Sequence, residues 1–154
     1  MKIGTILLTV SVLFVVAVAC FAADVNMGTW KLNEAKSKIS PGAGKNNTVV
    51  IAAAGDSMKV TVDGVAADGK PAHNEWTGKF DGKDYPVTGD PTSDTRSYKQ
   101  VDDHTLELTG KKDGKVTVTG KIVVSADGKS RTVNTTGTNP KGEKVKNTAV
   151  YDKQ

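Results

Sequence analysis

The sequence predicts an all-β domain, an antiparallel up-and-down meander closed into a small β-barrel, and three observations predict it. Apolar and polar residues alternate with a period of two in one short segment after another. Asp-Gly and related pairs punctuate those segments at hairpin spacing. No segment beyond the N-terminal leader holds a helical period. About ten short strands would leave exposed edges in an open sheet, and closure into a barrel removes them. A β-sandwich is the alternative architecture; the barrel is preferred because short hairpins require no Greek-key crossover.

The chain has 154 residues and opens with Lys2 followed by an apolar run from Ile3 to Ala19. This is the pattern of a signal peptide, with small residues offering cleavage sites around residues 19–23. Residues 1–23 are therefore assigned to the leader and 24–154 to a single domain, with export to the periplasm or the medium expected. An uncleaved anchor is the alternative. The segment Ala17-Val18-Ala19-Cys20 resembles the lipobox of bacterial lipoproteins, so a lipoprotein anchored through Cys20 is a further alternative. Membrane attachment is expected only in such cases. Cleavage beyond Cys20, the single cysteine, leaves no thiol for a disulfide, a metal or a nucleophile.

The domain opens on Gly28-Thr29-Trp30-Lys31-Leu32-Asn33, whose period of two puts Gly28, Trp30 and Leu32 on one face. Trp30 is read as a core anchor, and Gly28 as the residue that lets another group approach the indole. Residues 33–47 are a long surface connection, with one helical turn capped by Asn33 and stopped at Pro41-Gly42. Strands follow at Thr48–Ala53, Met58–Val65, Ala72–Phe80, Tyr85–Val87, Thr95–Gln100, Thr105–Gly110, Val116–Ser125, Arg131–Gly137 and Val145–Asp152. Met58, Val60 and Val62 oppose Lys59, Thr61 and Asp63, so one face is buried and the other wet. The tripeptide Asp-Gly-Lys recurs at 68–70, 81–83, 113–115 and 127–129 and marks tight turns.

Composition narrows the function. The net charge of +4 is mild, and lysines are interleaved with aspartates. Arg96 and Arg131 are the only arginines and lie far apart in sequence, which argues against a nucleic-acid partner. Enzyme signals are absent: His73 and His104 are the only imidazoles, neither has the third ligand a metal site needs, and no G-x-S-x-G elbow occurs. A non-enzymatic protein without cofactor or metal is expected. After the leader, the leucines are Leu32, Leu106 and Leu108 and the aromatics Trp30, Trp76, Phe80, Tyr85, Tyr98 and Tyr151, too few large groups to line a wide empty cavity.

With Gly28-Thr29-Trp30 opening the meander and Asn147 to Lys153 closing it, the chain resembles the calycin group of lipocalins, fatty-acid-binding proteins and avidins. The stretches from Gly28 to Lys38 and from Trp76 to Pro86 also resemble a group of small secreted bacterial proteins without an assigned activity. The calycin resemblance supports the barrel better than any ligand, and it puts residues 33–47 in the place of the lipocalin lid loop. Fatty-acid-binding proteins end on an Arg-x-Tyr pair that holds a carboxylate; here Ala149 stands two residues before Tyr151, so that anchor is absent.

Trp76, Phe80, Tyr98 and Tyr151 are the candidate walls of a ligand site, with Arg96 as its charged contact. Arg96 and Tyr98 share a strand face and converge on an anion if that face is inside. If it is outside, Arg96 points to solvent beside Asp94 and Glu107. The expected function is an exported barrel that binds a small amphipathic or anionic molecule; the alternative is a structural or protein-interaction module with a filled core.

Overall fold

A computed structural model describes residues 24–138 and 142–154, so the leader assigned to residues 1–23, including Cys20, lies outside the described residues. The strands are β1 (Gly28–Leu32), β2 (Lys45–Ala54), β3 (Ser57–Val65), β4 (Pro71–Gly78), β5 (Tyr85–Thr88), β6 (Thr95–Asp102), β7 (Thr105–Lys112), β8 (Lys115–Val124), β9 (Ser130–Thr138) and β10 (Lys144–Lys153). Each pairs antiparallel with its neighbours in sequence, and β1 closes the barrel by pairing with β2 on one side and β10 on the other. The architecture is a barrel and not a sandwich.

Turn chemistry follows the sequence closely. Asp68, Asp81 and Asp127 each accept the backbone N–H of the lysine two residues on, at 3.0–3.1 Å. The glycine between them takes a positive φ of 69–83°, which a side chain would resist. The fourth copy, at 113–115, makes the two-residue hairpin between β7 and β8, where Asp113 itself adopts φ +50°.

Strand ends differ from the sequence expectation where pairing extends or stops a strand. β2 begins at Lys45 rather than Thr48, because a bulge between Asn46 and Thr48 lets Lys45 pair with Val65. β4 stops at Gly78, so Phe80 lies in the following turn, although its carbonyl still accepts the Gln100 N–H at 3.0 Å. The long connection after β1 is tied to the barrel: Glu34–Lys36 form a 3₁₀ turn capped by Asn33, and Lys38 bridges to Thr148. Ser40 donates its backbone N–H to Asn147 Oδ1 at 2.7 Å.

The core is concentrated at one end. Trp30, Trp76, Leu106, Ile122, Val60 and Val124 are fully buried there. Residues 24–27 fold beneath them, with Asn26 buried and its carbonyl accepting Trp30 Nε1–H at 2.8 Å. Gly28, at φ +115°, leaves the space through which the Lys153 side chain passes, and Lys153 Nζ sits 5.0 Å from the centre of the Trp30 ring. Further up the barrel, the inward row from Tyr98 crosses Leu108, Gly120, Thr135 and Asn147, smaller or more polar groups that are half-buried. The interior is thus apolar at the end beside the termini and more polar above it.

Candidate functional site: two buried arginines

Strand parity leaves one question about β6, which face is inside, and the packing answers it. Arg96 and Tyr98 point into the barrel and are both buried, whereas Gln100, near the bulge that ends the strand, is exposed. The alternative of a solvent-facing Arg96 beside Asp94 and Glu107 is not what the fold adopts. Its Nη2 donates to Asp90 Oδ2 at 2.8 Å, and its Nη1 lies 3.3 Å from Asn74 Oδ1 and 3.5 Å from the Tyr98 hydroxyl. Both members of the Arg96–Asp90 pair keep only about a tenth of their side-chain surface exposed. Burial works against the Arg96 charge, but Tyr98 and Asp90 more than offset it, so its pKa is raised. Arg96 therefore enters the interior already neutralised.

Asp90 reaches Arg96 from the β5–β6 connection, which is folded into the barrel rim. Its Oδ1 accepts from the Thr92 backbone and hydroxyl, and Ser93 beyond it is fully buried. A hollow of about 530 Å³ at this rim is bordered by Asp90, Pro91, His73 and Asp68.

Three of the four aromatic candidates cluster beside Arg96. Trp76 meets Tyr98 edge-on at 4.8 Å and stacks on Phe80 at 6.2 Å, and Phe80 meets Tyr98 at 5.8 Å. Trp76 Nε1–H donates to the Arg96 carbonyl at 2.8 Å, which locks the indole to β6. Tyr85 packs edge-on against Trp76 at 5.7 Å. Tyr151 lies apart from this group, buried on β10 directly across from Arg131 of β9.

Arg131 is the residue that the sequence reading passed over. It is buried, with its guanidinium carbon 5.9 Å from the centre of the Trp30 ring. Its Nε and Nη1 are shielded and have no hydrogen-bond partner, and no carboxylate lies within ion-pair distance among the described residues. Burial lowers its pKa, while Tyr98 and Tyr151 act in the opposite sense. Burial also pushes the Tyr151 hydroxyl up to about 12, against the pull of Arg131. A guanidinium keeps its proton at any ordinary pH. The site is thus a fixed positive charge beside aromatic rings, with two donors aimed at nothing.

One compositional signal marks it. The chain uses lysine for all its other basic positions and arginine only at 96 and 131, both buried. Arginine is the more weakly hydrated cation and the better one for a dry, planar contact.

The histidines do not join this interior. His73 is exposed, with Nδ1 2.6 Å from Asp63 and Nε2 3.7 Å from Glu75. Donation from its ring N–H to the Asp63 carboxylate favours the protonated ring and raises its pKa. His104 lies at the β6–β7 turn, its N–H accepted by Asp102. Among the described residues no three His, Cys, Asp or Glu side chains are placed to hold a metal ion.

Comparison with known proteins adds little to this geometry. No protein-family model matches the chain, and no curated protein does. Among solved structures, the chain is similar to a redesigned β-barrel, mFAP1, bound to DFHBI, at 18% identity and a TM-score of 0.48, with 86% of this chain and 98% of that chain covered.

Proposed function

We propose that the protein is an exported, calycin-like barrel that binds a small amphipathic or anionic molecule and catalyses no reaction. The observation that carries this reading is the Arg131 guanidinium, buried with two donor nitrogens unpaired. An uncompensated buried charge costs several kcal/mol in order of magnitude, which a bound anion would offset. Carboxylates and phosphates match the planar donor set of arginine. Trp30, Tyr98 and Tyr151 border the charge with ring surface suited to an apolar body. Arg96 is the weaker candidate for the anion contact, because Asp90 already occupies it.

Native mass spectrometry of the protein purified from its own cells tests the reading. The expected result is a retained anionic species that is lost in R131M while the circular dichroism spectrum of the barrel is unchanged. A wild-type protein that carries no adduct, and whose tryptophan emission responds to no carboxylate amphiphile, would instead favour a structural module with a filled core. The intact mass of the same sample reads the N-terminus, and so decides between cleavage near Asp24 and lipidation at Cys20.

A further inference from the structure

The outer face of β7–β10 carries a second candidate, independent of the barrel interior. The middle of these four strands bounds a trough of about 570 Å³. Eight of its lining residues have the strand parity opposite to the inward Leu106, Ile122 and Tyr151, so their side chains stand on the outside of the wall, above a floor formed by Leu108, Gly120, Thr135 and Asn147 of the inward row. Two rows cross it in register. One contains Thr109, Thr119, Thr136 and Lys146; the other contains Glu107, Lys121, Asn134 and Thr148. Neighbouring positions in a row are roughly 4.8 Å apart, so each row presents a polar ladder of about 14 Å.

The charges are unbalanced. Some outer lysines elsewhere on the barrel are paired, Lys59 with Glu75 at 2.8 Å and Lys79 with Asp56 at 3.0 Å. Lys121 and Lys146 are exposed and have no carboxylate within ion-pair distance among the described residues, even though Glu107 faces Lys121 in the register. The threonine hydroxyls and the Asn134 amide supply neutral donors, while Thr148 Oγ1 satisfies Asn134 Oδ1 at 2.8 Å. No aromatic ring borders the trough, which removes the stacking platform a nucleic acid would use. Its one large apolar residue, Leu108, points inward, so there is no apolar surface to enter a lipid layer.

From this charge complementarity we propose that the trough binds an extended acidic polysaccharide. Uronate carboxylates would lie on Lys121 and Lys146, and sugar hydroxyls on the threonine row between them. The contact is of the exposed, charge-assisted kind, so it weakens as salt rises.

The test is calorimetric titration of the purified protein with oligogalacturonate, followed by amide shifts in an NMR spectrum. Binding is expected, with shifts confined to β7–β10. K121Q/K146Q should weaken it at least tenfold, as should methyl esterification of the sugar carboxylates, whereas R131M should leave it unchanged. The proposal is overturned if oligogalacturonate does not bind, or if K121Q/K146Q binds equally well. It is also overturned if anionic vesicles or single-stranded DNA bind more tightly than the oligogalacturonate.

Discussion

Replacing Arg131 with methionine separates what the residue does for the fold from what it does for a ligand. Methionine keeps the length of the side chain and fills the space beside Trp30 and Tyr151, while removing a charge and two shielded donors that have no partner. Each unsatisfied buried donor costs roughly 1–3 kcal/mol, so the two together oppose folding by about 2–6 kcal/mol. The contact with the Trp30 ring returns only about 0.5–2 kcal/mol, and the 5.9 Å separation lies at its outer limit. The ligand-free R131M protein is therefore expected to be more stable than wild type by roughly 1–3 kcal/mol, the direction seen when buried ionic groups give way to apolar ones. Urea denaturation of ligand-stripped protein measures this as a higher midpoint with an unchanged slope. Adding the retained ligand should then stabilise wild type and leave R131M unaffected. A ligand-free R131M that is less stable than wild type would refute the reasoning, since it would mean that the guanidinium makes compensating contacts.

Three other perturbations test the surrounding geometry. Gly78→Ala should destabilise by about 1–3 kcal/mol in the same assay, because the added methyl would lie 2.5 Å from Tyr85 Cγ and 2.7 Å from Trp76 Cζ2 in a packed aromatic cluster. Arg96→Leu strands the Asp90 carboxylate with only 13% of its side chain exposed and should cost about 2–4 kcal/mol, of which R96L/D90N recovers a large part. Tyr151 has a pKa of about 12 in the folded protein and an ordinary value near 10 when unfolded, so its contribution is complete below about pH 10 and is lost as pH rises through 12. Stability measured between those limits should fall by on the order of 2–3 kcal/mol more in wild type than in Y151F. Equal slopes would place the phenol in water.

The aromatic candidates illustrate how far strand parity reaches. Alternation in β6 places Arg96 and Tyr98 on one face but cannot say what waits there, and Asp90 arrives from the β5–β6 connection six residues upstream. Phe80 was legible as an apolar residue near Trp76, yet it packs from a turn, because Asp81-Gly82-Lys83 reverses the chain before a strand can continue. Arg131 was hidden for a different reason. On its own strand it reads as a polar residue flanked by Ser130 and Thr132, and only the pairing of β9 with β10 sets it against Tyr151. Ala149, two residues before Tyr151, pairs with Val133, and Tyr151 pairs with Arg131, so the cation near Tyr151 comes from the neighbouring strand and not from its own.

The sequence by itself determined the meander, the turn chemistry and the inward set of each clear strand, because those depend on a two-residue period and on a few residues' backbone preferences. Val60 and Val62, Leu106 and Ile122 needed no partner to be read as core. Only the tertiary structure decided that Arg96 is neutralised and Arg131 is not, or that the core gathers at the end beside residues 24–27. Those facts depend on which side chains meet across non-adjacent segments, and charge compensation is a property of such meetings rather than of any one strand. Trp30 belongs to both kinds of knowledge: its alternation announced a buried ring, and the fold placed a cation on it from Arg131 and another from Lys153.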